Sequence, residues 1–226
     1  MSDNKFLLIA QTQSAVNEKM IGAVDWISEA KNPERNINYK LAILDEVVEF
    51  MRSAISFKWW AKNELDSENA VVELVDILHF LTSMATVLSG TVEKCAEEME
   101  LGYEAAKELT EDELAANSVT LALIDFTHSM CAFEPDTQEM WVSFWTLVRC
   151  TGNSMETIIS MYRSKAVLNK FRTAMGYKLG TYRKTWLDGH EDNWYLTNFL
   201  KDVMKSNGDQ YPGDDVLENF LYSNYR

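Results

Sequence analysis

The chain predicts an all-α fold, and three observations carry that expectation. Leu, Ala, Glu, Lys and Met are plentiful, and these residues lose little side-chain freedom in a helix. Three prolines and nine glycines in 226 residues are too few for the many turns of an all-β chain. Apolar residues also recur at three- and four-residue spacing, the period of a helix with one face inward. A hydrophobic content of 46% with 12% aromatics excludes disorder, and the length suits one domain over residues 1–226.

A first helix is expected over about residues 6–30, ended by Asn32-Pro33 because proline pushes its predecessor out of helical space. A second is expected over about residues 38–61. There Leu41, Leu44, Val48, Met51 and Ile55 form an apolar stripe, and Glu46 and Glu49 fall opposite it with Ala42 and Ser53. A polar break from Asn63 to Glu68 leads to a third helix, closed by Ser89-Gly90. Its stretch from Ala70 to Leu81 carries Glu73 and Asp76 as its sole formal charges and is apolar on nearly every side, so burial all round is expected. A short connection makes the second and third helices antiparallel neighbours.

Thr110 with Glu113 forms a capping box that starts a helix of about twenty residues, ending before Pro135. Further helices are expected over residues 137–150 and 154–174, the latter capped by Gly176. The stretch from Gly176 to Gly189 is rich in aromatics, lysine and glycine and is expected to be a mobile segment. A helix resumes near Glu191, and Pro212-Gly213-Asp214-Asp215 caps a last short one. Trp141, Trp145 and Trp194 are assigned to the core or a dimer interface, and Met20, Met51 and Met84 to core filling.

Charge narrows the function. A net charge of −14 disfavours nucleic acid and anionic membrane as partners, since polyanions are bound through Lys and Arg. Cys95, Cys131 and Cys150 are odd in number and form no CxxC, which fits neither a disulfide framework nor a zinc site. The first residues carry no basic flank before an apolar core, and no uninterrupted apolar stretch of 18 residues occurs, so a cytoplasmic protein is expected.

The chemistry resides in two acidic pairs, Glu46 with Glu49 and Glu73 with Asp76. Residues three apart lie on one helix face about 5–6 Å from each other. Buried acids must be paired, protonated or bound to metal, and four carboxylates on adjacent helices suit a hard cation such as Mg²⁺, with Mn²⁺ as a substitute. A lone ExxE is ordinarily a solvated face, but the apolar surroundings of Glu73 and Asp76 weaken that account. A basic cluster stands at Lys165, Asn169 and Arg172, on one helix face, followed by Tyr177, Lys178, Arg183 and Lys184. Cations beside a magnesium site are what a triphosphate requires.

Glu46-x-x-Glu49 followed by Glu73-x-x-Asp76 resembles the signature of the all-α nucleoside triphosphate pyrophosphatases, the superfamily of dimeric dUTPases, phage dCTPase-dUTPases and MazG proteins. Phe57-Lys58-Trp59-Trp60, the run from Glu73 to Ser83, and Lys165, Asn169 to Arg172, Gly176 to Lys178, Gly180 to Trp186 and Glu191 to Asn193 are similar to dimeric dUTPase in order and spacing. The resemblance spans about residues 8–195. It implies a homodimer that hydrolyses dUTP, and dUDP, to dUMP through attack on the β-phosphorus. It implies Mg²⁺ on Glu46, Glu49, Glu73 and Asp76, with Glu46 or Glu49 polarising water. Gln13 and Asn17 would read the base, Trp60 and Phe80 would pack on uracil and deoxyribose, and Lys165, Asn169, Arg172, Tyr177 and Lys184 would grip phosphate and sugar. Ser164-Lys165-Ala166 departs from the Gly-Lys-Asn expected of the family, and about residues 95–154 match nothing in it.

Three rivals follow from the same residues. One is a pyrophosphatase for dCTP or a modified pyrimidine, since one or two side chains decide base choice. Another is a carboxylate-bridged di-iron bundle using Asp76 and His79, which needs a second ExxH that His128 and His190 do not supply. The third is a non-catalytic helical interaction module, which leaves the buried acids unexplained.

Overall fold

One long apolar helix organises the molecule. In the computed structural model, which describes residues 4–62, 64–206 and 211–225, the third expected helix runs over Ser67–Ser89. Most of the other helices pack against it, and all are numbered in chain order. The set begins with α1, Lys5–Ile21; α2, Trp26–Ala30; α3, Tyr39–Ala54; and the central α4, Ser67–Ser89. It continues with α5, Val92–Lys107; α6, Glu111–Ala116; α7, Val119–Cys131; and α8, Thr137–Cys150. It ends with α9, Met155–Ala174; α10, Asp192–Ser206; and α11, Asp214–Asn224. Among the described residues the sole β pairing is one bridge between Thr185 and Glu191.

The expected all-α class holds, and several boundaries fall where capping chemistry puts them. Asp66 accepts from the amides of Glu68 and Asn69 at the start of α4, and Gly90, in the left-handed region at φ 86°, ends it. Ser154 caps α9, and Thr110 and Glu113 form the reciprocal box at α6. By length and composition α4 alone, among the described residues, is apolar enough to cross a membrane. Most of it is instead buried inside the protein, with Leu74, Val75, Ile77, Leu78 and Leu81 fully enclosed.

Three expected helices are corrected and one further helix is added. The first helix stops at Ile21, because Gly22 takes φ 78° and the chain restarts as α2 under an Asp25 cap. The second stops at Ala54, seven residues short of the expected end, and residues 55–62 are irregular. The helix expected from Thr110 to near Pro135 is two, α6 and α7, separated at Asn117 and Ser118, where Ser118 caps the second. Residues 92–107 form α5, a helix beyond those expected, which buries Cys95, Ala96, Met99, Gly102 and Ala106. Asn63 of the expected polar break lies outside the described residues.

The face that α3 turns inward also differs. Ile43, Val47 and Phe50 are its buried apolar residues, whereas Leu41 is 63% exposed. The inward face is thus rotated by roughly a quarter turn from the expected stripe. This rotation puts Glu46 beside the core rather than opposite it. Helices α3 and α4 are antiparallel, with Tyr39 beside Ser83 at one end and Asn69 Nδ2 donating to Ser53 Oγ at 2.8 Å at the other.

A second layer is built from α5, α7 and α8. Gly102 of α5 lets Trp141 of α8 approach so closely that an added Cβ would sit 2.4 Å from the Trp141 Cβ. Trp145 Nε1 donates to the Met99 carbonyl at 3.2 Å, and Arg149 Nη1 donates to the Ala106, Lys107 and Leu109 carbonyls, closing the C-terminus of α5. Trp141 and Trp145 are core residues as expected, whereas Trp194 is partly exposed and stacks on His190. Of the three methionines, Met84 is buried and Met51 packs on the core, but Met20 is exposed because Gly22 ends α1 just beyond it.

Candidate active site

The two acidic pairs meet across the α3–α4 groove. One carboxylate oxygen each from Glu46, Glu49 and Glu73 lies within 4.8 Å of the other two. Glu73 is buried and its Oε1 accepts from Asn69 Nδ2 at 2.8 Å; the same amide reaches Ser53 and so ties both helices together at the acids. Asp76 continues the row. Its Oδ2 accepts from Lys165 Nζ at 2.8 Å.

Crowding shows in the acid strengths. Burial, then the Asp76, Glu73 and Glu49 carboxylates, push Glu46 up to about 8, against which Lys165 acts weakly. Burial, then Asp76 and Glu49, push Glu73 up to about 7. These are the shifts expected where like charges share a partly desolvated site, and such groups cluster at functional positions. An all-oxygen set of converging carboxylates that resist ionisation together fits a hard divalent cation.

The opposite wall is basic. Lys165, on α9, is almost fully buried, and its ammonium is held between Asp76 and Asn193 Oδ1, the latter at 3.1 Å. Arg172 forms a bidentate fork to Asp192, Nε to Oδ2 at 2.8 Å and Nη2 to Oδ1 at 2.7 Å, and Tyr182 OH donates to the same carboxylate at 2.7 Å. The Arg172 guanidinium and Tyr182 hydroxyl together hold Asp192 below the usual carboxylate range in spite of its burial. Lys184 pairs with Glu191 at 3.1 Å. Acidic and basic walls enclose one cavity of about 490 Å³, lined by Glu46, Glu49, Glu73, Asp76, Lys165, Arg172, Tyr177 and Lys184 with Asn69, Glu191 and Asn193.

Five expected site residues stand outside that lining. Gln13 and Asn17 are buried on α1 in a network: Gln13 Nε2 donates to Asn17 Oδ1, and Asn17 Nδ2 to Ser83 Oγ, at 3.1 and 3.0 Å. Tyr162 OH donates to Gln13 Oε1 at 3.2 Å, and His79 Nδ1 lies 2.8 Å from the same oxygen. Phe80 is half-buried against the core. Trp60 is 63% exposed beyond α3 and meets Phe57 and Trp59 edge-on. Asn169 accepts from Arg172 Nη1 at 3.2 Å behind the cavity wall.

His79 is a hydrogen-bonded core histidine, as the sequence argument preferred. Burial lowers its pKa to about 4, and its ring stacks on Tyr162 at 4.3 Å. No histidine joins the carboxylate cluster among the described residues, which removes the di-iron reading. Asn69 is a site residue outside every expected motif, and Tyr182 and Asp192, which fall within the stretches resembling dimeric dUTPase, take roles the sequence did not assign them. Asn69 stands four residues before Glu73, one turn away on the same face, and that spacing was the available signal. Cys95, Cys131 and Cys150 are all free thiols.

No curated protein matches the chain. A family model described as dUTPase matches residues 5–177, from the first helix through the acidic pairs to the basic face of α9 and Tyr177. The chain belongs to the dUTPase family, whose enzymes are nucleoside triphosphate pyrophosphohydrolases acting on dUTP.

Proposed function

We propose that the protein is a magnesium-dependent dUTP diphosphatase that also accepts dUDP and releases dUMP with pyrophosphate or phosphate. The observation that carries this reading is the single cavity with carboxylates on one wall and Lys165, Arg172, Tyr177 and Lys184 on the other. Glu46, Glu49, Glu73 and Asp76 would hold the cation, for which Mn²⁺ is a substitute. When bound, the cation neutralises phosphate charge and makes a water acidic enough to attack at neutral pH.

The chain's own residues supply the rest. Glu46 or Glu49, ionised once the cation is held, takes the proton from the attacking water. Lys165, nearly enclosed, offers a fixed positive charge beside Asp76. Lys184 and Tyr177 meet the outer phosphates from the segment that follows α9, while Arg172 holds that segment's far end through Asp192. Gln13 and Asn17 would read the base edge, with Trp60 and Phe80 against uracil and sugar and Asn169 supporting Arg172. The reading extends to a single domain that works as a cytoplasmic homodimer.

Incubation with each deoxynucleoside triphosphate, with and without Mg²⁺, followed by chromatography of the products, tests it. Magnesium-dependent release of dUMP and pyrophosphate from dUTP alone is expected. Preference for dCTP or a modified pyrimidine would replace the base assignment, and inertness toward all nucleotides would overturn the reading.

A further inference from the structure

The segment between α9 and α10 brings Tyr177 and Lys184 to the cavity, yet both Gly176 and Gly180 within it sit at positive φ, 88° and 72°. Glycine pivots of this kind cost backbone entropy to hold in one place. Local contacts hold part of the segment: Thr181 N–H and Oγ1 both donate to the Gly176 carbonyl at 3.2 Å, Asp192 N–H donates to the Lys184 carbonyl at 3.0 Å, Thr185 bridges to Glu191, and Trp186 is buried in the core, while the Lys184 ammonium pairs with Glu191 on a partly exposed surface.

Residues 182 and 183 take further support from the C-terminal end of α11. Tyr225, at the C-terminal cap of α11, accepts a hydrogen bond on its hydroxyl from the Arg183 backbone N–H at 3.0 Å. Its ring lies flat on that of Tyr182, with 5.2 Å between centroids and 6° between planes. The same ring meets Phe171 of α9 and Trp186 edge-on, at 5.4 and 5.7 Å. Tyr182 in turn anchors through its hydroxyl to Asp192. One side chain therefore grips the backbone directly before Lys184 and the side chain directly before that. Tyr225 lies well beyond residue 177, where the family match ends.

We propose that Tyr225 is a positioning residue for substrate binding: it fixes residues 182–184 so that the Lys184 ammonium is presented to the phosphates. The inference rests on the nucleotide reading of the cavity for its kinetic consequence, but not for its structural one. Tyr225→Phe removes the hydrogen bond to Arg183 and keeps the stacked ring; Tyr225→Ala removes both.

Two measurements test it. Trypsin cuts after Arg183 and Lys184, so the rate of cleavage there reports how firmly the segment is held, whatever the substrate. Tyr225→Phe is expected to speed that cleavage and to raise KM for dUTP about three- to tenfold, the range of one lost hydrogen bond, with kcat within about twofold. Thermal unfolding of Tyr225→Phe should match the parent, and Tyr225→Ala should show the larger change in both cleavage and KM. Parent-like cleavage and KM in Tyr225→Phe would overturn the proposal even if Tyr225→Ala fails to fold. Faster cleavage in a protein whose parent hydrolyses no nucleotide would sustain the holding role and overturn the nucleotide reading alone.

Discussion

Binding of a divalent cation should expel protons, and the number follows from the two perturbed carboxylates. With Glu46 at about 8 and Glu73 at about 7, the two hold roughly one to two protons between them at pH 7, which a cation must displace because only the ionised forms ligate. The cause is burial reinforced by neighbouring carboxylates, so both folded values lie above the ordinary glutamate value. Their contribution therefore destabilises the cation-free fold as pH climbs from the ordinary value through 7 and 8, and that loss is what a cation reverses. Titration of the protein with Mg²⁺ or Mn²⁺ in two buffers of different ionisation enthalpy, at pH 7 and 8.5, measures the release. Roughly one to two protons are expected at the lower pH and clearly fewer at the higher, and Glu46→Gln should lower the release at pH 7. The rise in melting temperature on adding the cation should likewise grow with pH. Release of no protons at pH 7, or a release that increases toward pH 8.5, would refute the reasoning.

Lys165→Met removes the cation nearest Asp76, so Mn²⁺ should bind about tenfold more tightly without nucleotide, while nucleotide hydrolysis falls; calorimetry alongside the rate assay separates the two, and weaker Mn²⁺ binding would count against competition for Asp76. Glu49→Gln or Asp76→Asn should abolish turnover with an unchanged circular dichroism spectrum, and parent-like rates in both would remove the carboxylates from the reaction. Gly102→Ala drives a methyl into Trp141 at the α5–α8 crossing and should cost about 1–3 kcal/mol in a denaturant titration; a stability equal to the parent would show that the crossing can open.

What the sequence revealed and what it concealed divide along physical lines. Helices α4, α8 and α9 were legible almost to the residue, because each has an uninterrupted apolar pattern bracketed by a capping residue: Asp66, Asp136 and Ser154. The inward face of α3 was not. Its sequence carries two apolar stripes, and only packing chooses Ile43, Val47 and Phe50 over Leu41 and Val48. The breaks at Gly22 and Asn117 were illegible for a related reason, since apolar spacing continues across both while the backbone turns. Within the site, the carboxylates were recognisable from i, i+3 spacing on two successive helices, the second of them apolar on nearly every side. The Arg172–Asp192–Tyr182 clamp depends on how the intervening segment folds back, and no local pattern encodes it.

That clamp alters the roles within the basic wall. Arg172 spends its Nε and one terminal nitrogen on a buried carboxylate, and a guanidinium so engaged brings little net charge to a phosphate. Lys165 is engaged too, but by Asp76, a group the cation would also claim. A cation taking Asp76 would leave the Lys165 ammonium buried with Asn193 as its remaining partner, and an ammonium in that state strongly favours a nearby anion. The acidic row and the buried lysine would then act in sequence, one cation admitting another's charge to the phosphates. In a chain of net charge −14, that exchange is a local means of attracting a polyanion that the overall field repels.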